Sequence, residues 1–203
     1  MLIETFNVGT FATNCYVVNS HETKEAIIID PGIDLPTEAQ QIFNFITEGG
    51  LKIKLIVNTH GHQDHISGYA TFQAKYNVPV YIHKLDAQAI EDLKKDMYPP
   101  PVLLQEGSSI TFGEETLKVI HTPGHTPGSI CLIGERLAFT GDTLFAGGIG
   151  RTDFPGGSDK AMQRSLDKLM QLPDNIMIYP GHGSISILSE EKRVNPFLTC
   201  SRV

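Results

Sequence analysis

The chain holds little cysteine: Cys15, Cys131 and Cys200 are odd in number and widely spaced along 203 residues. That argues against a disulfide framework and suits a reducing cytoplasm. Long apolar runs are also missing. No stretch approaches the roughly 18 apolar residues that a membrane span requires. The first residues, M-L-I-E-T-F-N-V-G, lack a basic region followed by a small-residue cleavage site. No secretory signal and no membrane association are therefore expected, and the cytoplasm is the expected location. Basic clusters are absent as well, with Lys and Arg scattered through a chain of net charge −7. Nucleic-acid binding usually leaves a basic stripe, so the expected partner is a small diffusible molecule. If that molecule is anionic, a local cation must offset the overall field.

What is present is an apolar share of 40%, enough for a sizeable core, and a length that suggests one domain over residues 1–203. The first 30 residues read as strands, and the run I-I-I-D stops sharply at Pro31-Gly32. Ala39, Ile42, Phe43 and Ile46 recur at helical spacing from Thr37 to Glu48. K-L-I-V-N reads as a buried strand. Helices are expected at Ile66–Tyr76, Leu85–Lys95, Lys160–Met170 and Glu190–Val194. Further strands are expected at P-V-Y-I-H, S-I-T-F, T-L-K-V-I-H, S-I-C-L-I, R-L-A-F-T-G-D and N-I-M-I-Y-P. Y-P-P-P-V, residues 98–102, reads as a surface loop. This alternation implies an α/β (α+β) protein with two sheets face to face and helices outside.

Against that background one loop stands out. N-T-H-G-H-Q-D-H places His60, His62, Asp64 and His65 within six residues, in a chain with eight histidines. His60 and His62, two apart on extended chain, project to one side. Asp64 and His65 come where the chain turns into a helix, which aims them elsewhere. The loop can thus serve two adjacent cations with imidazole and carboxylate, donors that Zn²⁺ and Fe²⁺ accept. Helix capping is the competing role for Asp64, and it explains none of the histidines. One loop cannot close a coordination shell, and three other turns supply candidates: His125 in H-T-P-G-H-T-P-G, Asp142 in F-T-G-D-T and His182 in Y-P-G-H-G. Each follows an apolar run and a turn. Two readings stand for His121, an ordinary strand-end histidine or an outer partner of a metal-bound imidazole. His21 and His83 read as ordinary histidines. Gly124, Gly141 and Gly181 read as turn residues that also permit close backbone approach.

T-H-G-H-Q-D-H followed by T-P-G-H, G-D-T and P-G-H resembles the metallo-β-lactamase superfamily. The stretches G-R-T-D-F-P-G-G and R-V-N-P-F-L look like its single-domain, glyoxalase II-like hydrolase branch. The resemblance runs to about Leu198 and implies an αββα four-layer sandwich with metals in a cleft at one edge of the sheets. It implies that His60, His62 and His125 hold one ion, that Asp64, His65 and His182 hold another, and that Asp142 bridges them. Two divalent ions follow, zinc first, with iron or manganese and single occupancy as the family's other options.

The implied activity is hydrolysis of a thioester such as S-lactoylglutathione. Coordination to zinc lowers the pKa of water from about 15.7 to about 7, and Asp64 is the expected residue to orient the resulting hydroxide. Cys15 and Cys131 read as core. Arg151, in G-I-G-R-T-D-F, is the candidate contact for a substrate carboxylate, with pairing to Asp153 as its competing role. No C-terminal helical domain of the two-domain glyoxalase II kind is expected from these residues, so a smaller thioester is also compatible. The rival reading is a mononuclear-iron persulfide dioxygenase acting on glutathione persulfide, which is similar around G-R-T-D-F. β-Lactam hydrolysis, nuclease action and non-catalytic metal binding rank lower.

Overall fold

The computed structural model describes residues 1–93 and 99–199. The chain opens with strands β1 (Leu2–Val8), β2 (Thr13–Asn19) and β3 (Glu25–Ile29), then helix α1 (Pro36–Glu48) and strand β4 (Lys52–Val57). Helices α2 (Gln63–Ile66) and α3 (Tyr69–Tyr76) lead to β5 (Val80–His83), α4 (Ala87–Leu93) and β6 (Val102–Leu104). These six strands form one sheet in sequence order, antiparallel from β1 to β3 and parallel from β3 to β6. The second half supplies β7 (Ser109–Phe112), β8 (Glu115–His121), β9 (Ile130–Ile133), β10 (Leu137–Gly141), α5 (Asp159–Leu169), β11 (Met177–Pro180), β12 (Ser186–Ile187), α6 (Leu188–Val194) and α7 (Pro196–Thr199). Its sheet runs in the order β12-β11-β10-β9-β8-β7, with only β10 and β11 parallel.

Side chains on successive strand residues point to opposite faces, and in β2, β3, β9 and β10 both faces are buried. In β2, Cys15 and Val17 pack beneath Ile42 of α1 and Phe72 of α3, while Tyr16 and Val18 turn towards the other sheet. In β4, Ile56 joins the first set and Leu55 and Val57 the second. On the far sheet, Leu132 and Phe139 face inward, and Cys131 and Ala138 face Met162 and Leu166 of α5. Three apolar layers thus separate helix, sheet, sheet and helix, which is the expected αββα arrangement. Strands covered on both sides read as unbroken apolar runs, and I-I-I and L-I-V are examples.

Several boundaries differ from expectation. The helix expected over Ile66–Tyr76 is two helices, split where the Ser67 hydroxyl donates to Ile33 O and the Gly68 N–H donates to Pro31 O. Residues expected as loop at Val102 form β6, whose backbone pairs with Tyr81–His83. Tyr98, the end of the helix expected to reach Lys95, and Cys200 lie outside the described residues. Among the described residues no helix is long and apolar enough to cross a membrane.

Parallel pairing brings successive strand ends to the same edge. β3 and β4 therefore deliver Asp30 beside Thr59 and His60, and β10 and β11 deliver Asp142 beside Gly181 and His182. The β8–β9 turn adds His125.

Candidate metal centre

The seven residues that the sequence singles out meet at this edge. Three groups have ligand atoms within 4.8 Å of one another: His60, His62 and His125; His60, His65 and Asp142; and Asp64, His65 and His182. His62 Nδ1 lies 2.8 Å from His125 Nε2, and His65 Nε2 lies 3.2 Å from His182 Nε2. Asp142 stands between the groups, with Oδ1 3.4 Å from His65 Nε2 and Oδ2 3.4 Å from His125 Nε2.

Outer hydrogen bonds decide which nitrogen faces inward. His65 Nδ1 donates to Asp30 Oδ2 at 3.0 Å, His125 Nδ1 to the Arg151 carbonyl at 2.7 Å, and His182 Nδ1 to the Phe11 carbonyl at 3.1 Å. The Thr59 hydroxyl donates to Asp30 Oδ2, which leaves its oxygen to accept from His60 Nδ1 at 3.2 Å. In the neutral form each of these four rings therefore presents an Nε2 lone pair to the centre, the tautomer a metal ligand needs.

Two buried atoms in the centre have no hydrogen-bond partner, His60 Nε2 and Asp142 Oδ1. A buried polar atom left unpaired costs free energy, and a cation between the groups would satisfy both. The charges agree. Burial disfavours a charged His65, but Asp142 and Asp30 outweigh it and raise its pKa to about 9. Burial likewise opposes ionisation of Asp64, yet the His182 hydrogen bond and the charge on His65 hold its carboxyl well below the usual range. His60 is lowered by burial and by the imidazoles around it. The carboxylates thus draw positive charge to the facing imidazoles, and a divalent cation held there would supply that charge instead. The donor set fits a divalent metal ion.

Asp64 does not cap α2, whose N-cap is His62. Its Oδ2 accepts from the Thr13 hydroxyl at 3.1 Å and lies 3.3 Å from His182 Nε2. Thr13 and Asn14 are contributors that the sequence reading passed over. The Asn14 N–H donates to Gly181 O at 2.7 Å and its amide to Pro180 O and Gly183 O, tying the first sheet to the His182 turn. Asp30 was also missed as a partner. Its signal was a carboxylate ending the apolar run I-I-I-D, buried where a surface turn would leave it exposed. His121 is in none of the ligand groups; it stacks on His83 at 4.1 Å and bonds Pro127 O through Nε2 at 2.8 Å. His21 is exposed beside Glu22.

Beside the centre opens a cleft of about 770 Å³, walled by Phe11, Phe145, Phe154 and Pro155 and reached by Gln63 and Arg151. Such a volume suits a small molecule. Arg151 lines the cleft but is already engaged. Its guanidinium makes two 2.7 Å hydrogen bonds to Asp153 and lies 3.9 Å from the Phe154 ring centre.

A family model described as the metallo-beta-lactamase superfamily matches residues 8–182. A Haemophilus influenzae protein named hydroxyacylglutathione hydrolase GloC is 37% identical over 98% of this chain and 98% of its own length. A Mus musculus protein named persulfide dioxygenase ETHE1, mitochondrial, is 37% identical over 93% of this chain and 72% of its own. A crystal structure described as TTHA1623 in a di-iron-bound form superposes with a TM-score of 0.80 at 34% identity, covering 98% of this chain and 100% of that one.

Proposed function

The chain belongs to the metallo-beta-lactamase superfamily, and from that premise we propose that it is a metal-dependent hydrolase of a small acyl thioester such as S-lactoylglutathione. The observation that carries this reading is the position of Asp142, whose carboxylate lies 3.4 Å from His125 of one histidine group and 3.4 and 3.6 Å from His65 and His182 of the other. In this reading His60, His62 and His125 hold one ion, Asp64, His65 and His182 hold a second, and Asp142 joins them. Zinc is the proposed ion, and iron and manganese accept the same nitrogen and oxygen donors.

Ions bound there supply Lewis acidity and lower the pKa of coordinated water towards about 7. The rest falls to the chain. Asp64, fixed by Thr13, orients the attacking water. The aromatic walls at Phe11, Phe145 and Phe154 seat the acyl and thiol portions and shed water from them. Water adds to the carbonyl carbon, the carbon–sulfur bond breaks, and a carboxylic acid and a thiol leave. No protein nucleophile takes part: Cys15 and Cys131 are core residues, and burial pushes the Cys131 thiol up to about 11 and that of Cys15 higher. The reading takes small acyl-thiols as the protein's partners and the cytoplasm as its location.

The likeness to the mouse protein named as a persulfide dioxygenase supports a second reading, oxygenation of glutathione persulfide at a single iron. The hydrolase reading is favoured because the likeness to the Haemophilus influenzae protein spans 98% of that relative, against 72% of the mouse one. Zinc- and iron-loaded protein should be assayed side by side for cleavage of a thioester panel and for oxygen uptake with glutathione persulfide. Thioester cleavage without oxygen uptake is the expected result. Robust uptake by the iron form, with no thioester cleaved by either form, would replace the hydrolase reading.

A further inference from the structure

Asp86 lies in the turn between β5 and α4 and is in none of the ligand groups. A carboxylate just before a helix ordinarily caps it. This one is buried and turned to other donors. Its Oδ2 accepts from the Gly61 N–H at 2.8 Å and the Thr126 hydroxyl at 2.6 Å, and its Oδ1 accepts from the Gly128 N–H at 2.7 Å. Gly61 separates His60 from His62, and Thr126 follows His125. One carboxylate therefore fastens together the two loops that supply the three-histidine group. The backbone is bare where it arrives: a Cβ on Gly128 would meet Asp86 Oδ1 at 2.4 Å, and one on Gly61 would meet Asp86 Cβ at 3.2 Å.

We propose that Asp86 is a positioning residue that sets His60 and His62 against His125, and so governs the affinity of that half of the centre alone. This rests on the metal reading above and not on the choice of substrate. The other group is held by separate contacts, with His65 on Asp30, His182 on the Phe11 carbonyl and Asp64 on Thr13. An Asn at position 86 would keep the shape, but its NH₂ end would face a donor. Either Gly128 or the Gly61–Thr126 pair would lose its acceptor, and the loops could relieve this only by parting.

The test uses two backgrounds, H182A to leave the three-histidine group and H62A to leave the other, each stripped of metal and titrated with Zn²⁺ against a chromogenic chelator. D86N is expected to lower zinc affinity by about 10- to 100-fold in the H182A background and to leave it unchanged in the H62A background. T126V, which removes one donor, should weaken the H182A background less, and T126S should restore it. Equal losses in both backgrounds, or no loss in either, would overturn the proposal. Should D86N fail to fold by circular dichroism, the Thr126 pair carries the test, and equal affinities for T126V and T126S would overturn it. Failure of the unsubstituted chain to take up zinc would instead defeat the metal reading on which the proposal rests.

Discussion

Asp30 Oδ2 lies 3.0 Å from His65 Nδ1, and both side chains are buried away from solvent. The same carboxylate accepts from the Thr59 N–H at 2.7 Å and the Thr59 hydroxyl at 2.6 Å. It therefore steers two rings at once, His65 directly and His60 through Thr59. Asp30→Asn puts an amide donor where three donors already converge. Zinc binding by the Asp64, His65 and His182 group should weaken by about 10- to 100-fold. The metal-free protein should also lose about 1–3 kcal/mol of stability. Zinc titration and urea unfolding measure the two effects, and an unchanged zinc titration would contradict the steering role.

Gly181 touches the centre more closely than any turn requirement explains. A Cβ there would lie 2.2 Å from Asp142 Oδ1 and 2.8 Å from His65 Cε1. Gly181→Ala should therefore displace both residues and strip the protein of tightly held metal. Gly183 is the control. Its φ is +76° and a Cβ there meets open space, so Gly183→Ala should cost about 1–2 kcal/mol of backbone strain and leave metal content intact. Metal analysis after gel filtration distinguishes them, and equal metal content in the two variants would contradict the crowding at Gly181.

Arg151 acts through two different parts of itself. Its backbone carbonyl orients His125, while its exposed guanidinium is shared between Asp153 and Phe154. Arg151→Ala keeps the carbonyl, so metal content and kcat should hold. KM for S-lactoylglutathione should rise a few-fold, the signature of lost uniform binding, and KM for an uncharged thioester should stay constant. Asp153→Asn frees the guanidinium and should lower KM for the anionic substrate. A fall in kcat with Arg151→Ala would mean that the side chain acts on the reaction itself.

The seven clustered side chains were legible in the sequence because each lies at or just beyond a turn that follows an apolar strand, and because two imidazoles two residues apart on extended chain must share a side. What surrounds them was not. Asp30, Thr13, Asn14 and Asp86 act through partners 25 to 169 residues distant or through carbonyls that no local pattern marks. The layers were legible from the same apolar runs, since I-I-I and L-I-V are apolar on both faces. The edge was harder. Val102–Leu104 follows a proline run, and its strand exists only because Tyr81–His83 offers backbone partners. The break after Ile66 is likewise set by contacts with Pro31 and Ile33, which helical periodicity alone does not reveal.

In the proposed reaction these seven side chains hold metal, and the metal makes water a nucleophile. Adding Zn²⁺ stepwise to chelator-stripped protein, while following cleavage of S-lactoylglutathione and a panel of smaller thioesters, tests it directly. No cleavage is expected before the first addition, then rising cleavage as ions bind, and a plateau at two ions per chain. Full cleavage by the stripped protein, or zinc uptake with no thioester cleaved at any loading, would contradict the proposed reaction.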